Sequence, residues 1–160
     1  MKHLTWLVFC LVFSAVIILS GTAYPQGSTP LSVQVTPGEV KWMPFTAVAP
    51  GAQIAMIYGN PFKPELYVMF VKFPPNFKTL PHLHPVEQVI TVLSGTIYSG
   101  LGENFDSDKL KAFPAGSVYV EPLKTPHFSE TRGEEVILQT IGVGPAGTQY
   151  VNPANDPRKK

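Results

Sequence analysis

Along most of the chain, short apolar or strictly alternating runs are separated by turn chemistry. The runs are 31–36, 53–58, 66–73, 78–84, 88–93, 96–100, 117–121, 127–131 and 135–143. Pro-Gly pairs at 37–38 and 50–51, Gly-Asn-Pro at 59–61, Pro-Pro at 74–75, Pro-Ala-Gly at 114–116 and Gly-Pro at 144–145 punctuate them. Many short strands at close spacing predict an all-β sandwich or barrel. The 17 prolines agree, because proline inside a helix removes a hydrogen bond and clashes with the preceding turn. One segment, 103–113, reads as a helical turn with Ser107 or Asp108 as N-cap. The end of the chain, 147–160, is too rich in proline and polar residues for a core strand, although Tyr150-Val151 suits docking on the body. No internal repeat and no second domain emerge.

The first residues follow a different pattern. Met1-Lys2-His3 is positively charged, residues 4–19 are almost unbroken apolar sequence, and Ser20-Gly21-Thr22-Ala23 supplies small residues. This is the layout of an export signal cleaved after Ala23, which predicts a periplasmic or secreted protein; an uncleaved N-terminal anchor is the alternative. The division expected is a signal over 1–23, a flexible lead-in over 24–35, the β domain over 36–153 and a tail over 154–160. Cleavage would leave 137 of the 160 residues, without cysteine, since Cys10 is the sole one. Disulfides, cysteine nucleophiles and thiolate ligands are thereby excluded from the mature chain. A net charge of +1, with no basic cluster beyond Arg158-Lys159-Lys160, argues against nucleic acid and, after cleavage, against a membrane surface.

Chemistry concentrates at 81–95, PHLHPVEQVITVLSG. In a strand, residues i and i+2 point to one face with Cα atoms ~6.5–7 Å apart, so His82-Leu83-His84 aims two imidazoles at one point. Two ligands hold an ion weakly. The mature chain offers one further histidine, His127, in EPLKTPHFSE after a strand-and-turn segment. Taken alone, each of these histidines is as readily a structural residue; the three together point to a metal.

Asn76-x5-His82-x-His84-x3-Gln88-x6-Gly95 resembles the first motif of the cupin superfamily, and Gly116-x5-Pro122-x4-His127 resembles the second. The resemblance spans about residues 36–153, with residues 96–115 between the motifs, and is similar in particular to small exported bacterial single-domain cupins. It implies a jelly-roll β-barrel of two antiparallel sheets. It also implies one divalent transition metal, Mn or Fe before Zn, held by His82, His84, Gln88 and His127. The usual glutamate is here Gln88, with Glu87 one residue earlier. Strand parity favours Gln88, since 82, 84 and 88 are all even, while Glu87 would need a bulge to point inward. An amide ligand would leave the ion its full charge and make it a stronger Lewis acid. Three imidazoles and one oxygen leave open positions, unlike a closed structural zinc site. The usual glycines of the two motifs are Asn76 and Lys124 here, and the closing asparagine is Thr131. Asn76 tolerates left-handed backbone; Lys124 and Thr131 are expected at the solvent or in a turn.

Weaker catalytic candidates are Glu87, as a base, and Tyr98; Tyr98 and Phe128 flank the motifs as pocket-lining aromatics. The even face of 88–93 is expected to look into the barrel. Its odd face, Val89, Thr91 and Leu93, is also apolar, implying cover by a second sheet or a partner in a homodimer. The functional expectation is a metal-dependent dioxygenase, lyase or isomerase acting on a small organic molecule. A non-catalytic module binding an anionic or sugar-like ligand, or a barrel without metal, are the alternatives.

Overall fold

The structure, a computed structural model, describes residues 33–159; the segment expected to be an export signal, 1–23, lies outside the described residues. The strands are β1 (Met43–Pro44), β2 (Gln53–Tyr58), β3 (Leu66–Phe73), β4 (Lys78–Leu83), β5 (Gln88–Ser94) and β6 (Thr96–Leu101). They continue with β7 (Lys111–Pro114), β8 (Val118–Glu121), β9 (His127–Thr131), β10 (Val136–Val143) and β11 (Gln149–Tyr150). Two antiparallel sheets result, six strands in the order β1-β2-β3-β10-β5-β8 and five in the order β11-β4-β9-β6-β7. This is the expected all-β jelly-roll barrel.

Period-two alternation decides which side chains face inward. On β3, Tyr67, Met69, Val71 and Phe73 are buried; on β5, Gln88, Ile90 and Val92; on β10, Val136, Leu138 and Thr140. The apolar residues of this set, with Ile97 of β6, belong to one cluster between the sheets; Gln88 and Thr140 are its buried polar neighbours. Each large apolar side chain buried there contributes about 1.5–3 kcal/mol before the entropy of ordering it is charged. The even face of β5 does look inward. Its odd face is open in the single chain, with Val89 and Leu93 exposed.

Several local expectations need correction. Residues 33–36 form no strand, and Val33 and Val35 are exposed. The turn in 103–113 is a short 3-10 segment, Ser107–Lys109, capped by Asp106, whose carboxylate accepts from the Asp108 N–H at 3.0 Å. Residues beyond it return as β7, an edge strand that pairs with β6 and ends at Pro114, where the missing N–H forfeits no ladder bond. Near the C-terminus, Gln149–Tyr150 adds an edge strand to β4, and Tyr150 is buried.

The two motif departures at glycine positions resolve differently from Thr131. Asn76 and Lys124 both adopt left-handed backbone, with φ of 55° and 53°. The Asn76 carboxamide oxygen accepts from the Gly133 N–H at 3.3 Å, and the Lys124 N–H donates to the His84 carbonyl at 2.9 Å. Thr131 is buried instead of solvent-facing. Its hydroxyl donates to the Pro74 carbonyl at 2.6 Å and accepts from the Phe77 N–H at 2.9 Å, closing the turn that leads into β4.

Candidate metal centre

His82 and His127 face each other as a cross-strand pair of β4 and β9, and their rings lie 4.4 Å apart. His84 follows the end of β4, its ring 5.0 Å from each of the other two. One local irregularity sets this arrangement. Between Thr79 and His82, across Leu80-Pro81, the β4–β9 register slips by a residue, and Pro81 has no N–H to give the ladder. Thr79 and His82 therefore share the inner face despite their odd and even numbers.

Each imidazole is oriented by a main-chain carbonyl. His82 Nδ1 lies 2.8 Å from the Leu80 oxygen, His84 Nδ1 2.7 Å from that of Gly147 and His127 Nδ1 2.9 Å from that of Thr125. A carbonyl only accepts, so every Nδ1 carries the proton and donates. In the neutral ring each Nε2 is then a bare lone pair. The three candidate ligand atoms lie within 4.8 Å of one another, and all three residues are buried. His127 Nε2 has no hydrogen-bond partner at all. Burial, with the neighbouring His127 and His84, drives His82 down to about 3, so it is neutral at physiological pH. Converging lone pairs with no donor between them fit a cation, and carbonyl-oriented imidazoles are the usual arrangement around one.

A carboxylate that sequence reasoning missed completes the surroundings. Glu121, the last residue of β8, sits directly opposite Gln88 of β5. Its Oε2 is 3.5 Å from His84 Nε2 and 3.5 Å from His127 Nε2. Burial pushes this carboxyl up, but the adjacent His127, His84 and His82 outweigh it and hold the group at about 2, ionised. For His84 burial works downward, and Glu121 with the Gly147 carbonyl outweighs it, leaving the ring raised. Sequence alternation concealed Glu121. In SVYVEP the apolar Val118 and Val120 appear to be the inward set, yet both are exposed, while Tyr119 and Glu121 line the cavity.

The other candidates separate cleanly. Gln88 is buried and lines the cavity with His82, His84 and Glu121. Glu87 is exposed on the outer side, next to Val89. Tyr98 lies against the Arg132 guanidinium, 3.8 Å from ring centre to carbon, and is absent from the cavity walls. Phe128 is fully buried, but against Phe105 and Gly100 and away from the histidines' cavity. Neither aromatic residue reaches the site.

The cavity beside the histidines measures about 50 Å³, with Phe45, Met69, Val71 and Ile90 among its apolar walls. His84 and Gln88 also border an adjoining vestibule of about 110 Å³, walled by Phe45, Met56, Phe62 and Ala146 with Arg158 at its rim.

No protein-family model matches the sequence, and no curated protein matches it. Solved structures do. The polyketide cyclase RemF from Streptomyces resistomycificus superposes with a TM-score of 0.66 at 21% identity, over 79% of this chain and 89% of that one. A cupin 2 conserved barrel domain protein from Rhodopseudomonas palustris gives 0.58 at 14% identity, over 76% and 86%. KdgF from Halomonas sp. gives 0.53 at 21% identity, over 68% and 91%. The fold shared with these structures is the double-stranded β-helix barrel seen in cupin-type proteins, and the histidine triad it carries here could hold a metal ion.

Proposed function

We propose that the protein is a metal-dependent cupin enzyme acting on a small organic molecule whose polar group enters the inner cavity and whose apolar part occupies the vestibule. The observation that carries this reading is the convergence of three buried imidazoles, the His127 Nε2 without a hydrogen-bond partner, with His82 and His84 lining an apolar-walled cavity. A divalent ion bound there, Mn or Fe before Zn, would supply Lewis-acid polarisation of a substrate oxygen. His82, His84 and His127 would hold it, and Gln88 and Glu121 would present an amide and a carboxylate to the same space. Met56, Met69 and Phe62 would exclude water from the apolar part of the ligand. A polyketide cyclase of the same fold is a precedent for enzymatic work in such a barrel. Export through the N-terminal segment belongs to the same reading. So does a homodimer across the outer face that carries Val89, Leu93, Val118 and Val120.

The test is metal content by plasma mass spectrometry of protein exported by a native-like host, with the His82→Ala/His127→Ala protein as control. About one equivalent, lost in the variant, supports the centre. Turnover of 1,2-dicarbonyl, enediol, phenolic or cyanohydrin compounds, abolished by chelator, then supports the enzyme. Chelator-sensitive thermal stabilisation by such compounds without turnover would assign a binding protein instead. No metal in either protein, even after reconstitution, would sink the reading.

A further inference from the structure

We propose that Glu121, and not Gln88, is the oxygen ligand of the centre: the carboxylate has moved from β5 to β8, and the Gln88 amide faces the substrate. This rests on the reading that the site holds a metal. Three observations carry it. The first is distance. Glu121 Oε2 stands 3.5 Å from both His84 Nε2 and His127 Nε2. A charge-assisted hydrogen bond would be roughly 2.7–2.9 Å, and in the neutral rings, whose proton is on Nδ1, the atoms facing the carboxylate are acceptors. Acceptors at this spacing repel unless a cation lies between them. Ligands bound at about 2.1 Å stand roughly 3.0 Å apart at neighbouring octahedral positions and roughly 3.4 Å apart in tetrahedral geometry, so the spacing seen is within about half an ångström of a bound set that keeps positions open.

The second observation is charge. Glu121 is largely buried, its side chain 15% exposed, and its ion-pair partners among the described residues are those two imidazoles, with no lysine or arginine in ion-pair range. A largely buried carboxylate faced by imidazoles alone, with no permanent cation beside it, is costly, and a divalent ion removes that cost. The third is register. Gln88 and Glu121 are directly opposed across β5 and β8, where side chains on one face start roughly 4.5–5.5 Å apart. One cross-strand step therefore carries the ligand role from one residue to the other. Gln88 borders both the inner cavity and the vestibule, whereas Glu121 borders the inner cavity without lining the vestibule. The amide is placed to donate to a bound molecule at the junction. A carboxylate ligand also lowers the charge of the loaded centre from +2 to +1, which suits neutral or singly charged substrates over polyanions.

The experiment is manganese affinity, by competition with a chromophoric chelator, in full-length mature protein. Glu121→Gln should weaken binding at least about 100-fold, beyond the usual effect of losing a group outside the ligand set. Gln88→Ala should stay within about threefold. The exchange Gln88→Glu/Glu121→Gln should recover affinity to within about tenfold of wild type. Circular dichroism checks that each variant folds. A wild-type crystal soaked in manganese gives an independent reading, with Glu121 Oε2 expected at about 2.0–2.3 Å from the anomalous peak. Unchanged affinity in Glu121→Gln, a greater loss in Gln88→Ala, or an anomalous peak bonded to Gln88 instead would overturn the assignment while leaving the metal centre standing. Wild-type protein that takes up no manganese, iron or zinc would overturn both.

Discussion

Thr131→Val should be one of the most damaging isosteric changes in the barrel. The hydroxyl is buried, with the residue 3% exposed, and it joins two main-chain groups 54 and 57 positions away in sequence. Valine keeps the shape and opens no cavity, so packing loss is negligible. What goes is the only side-chain acceptor for the Phe77 N–H and the donor to the Pro74 carbonyl. Each buried group left unsatisfied costs about 1–3 kcal/mol, and the added methyl returns about 0.8 kcal/mol of burial. The net loss is about 1–5 kcal/mol, centred near 3 kcal/mol, a large share of the 5–15 kcal/mol typical of a domain. For a domain of this size that lowers Tm by roughly 10 °C. Differential scanning calorimetry in excess chelator is the assay, since a bound ion would shift Tm by mass action. Thr131→Ser, which keeps the hydroxyl, should lose only about 1 kcal/mol. A valine variant within 2 °C of wild type, or a serine variant that is the worse of the two, would refute the reasoning.

Lys124→Gly should stabilise the apo-protein by about 1 kcal/mol, because φ of 53° costs a side-chain-bearing residue what glycine escapes; a lower Tm would show that the lysine side chain holds something. Gly142→Ala should destabilise by about 1–3 kcal/mol, since the added Cβ would stand 2.5 Å from the Tyr67 hydroxyl, and Tyr67→Leu in the same chain should recover much of the loss by chemical denaturation. Tyr67→Phe alone should be neutral or stabilising in urea titrations, because the buried hydroxyl it removes has no partner. The hydrogen bond from Arg158 lowers the Asp156 carboxyl below its usual range, so that contact is complete at neutral pH and is lost as pH falls below about 4. Amide exchange at 156–159 should accelerate there; acceleration on raising pH from 5 to 7 beyond the intrinsic chemical rate would contradict the sign.

Much of the barrel was legible because burial on one face imposes a period of two. Burial alternates along 66–73 and 88–93, and parity alone sends Gln88 inward and Glu87 outward, whereas 53–58 breaks the alternation where its register shifts. Asn76 could be assigned a left-handed conformation from its type. Where the signal failed, a physical reason is visible. The 111–114 strand is four residues long and ends in proline, too short to show a period. Thr131 looked like a surface residue because a lone hydroxyl in a sequence does not reveal two buried main-chain partners over fifty positions away. Glu121 was hidden by an inversion: on the edge strand β8 the valines face out and the tyrosine and glutamate face in. A carboxylate just before Pro122 and six residues ahead of His127 was the available hint, legible only to a reader willing to put a charge inside.

The tautomer of every histidine in the centre is set by backbone, through the carbonyls of Leu80, Gly147 and Thr125. Main-chain acceptors do not change when a side chain is replaced. The orientation of the triad is therefore insulated from point substitution at those three positions, provided the loops keep their paths. Drift in sequence around the site can retune the pocket while the imidazoles stay aimed. Loss of the centre in a descendant would then come by two routes: replacement of a histidine itself, or an insertion or deletion that shifts a carbonyl out of reach.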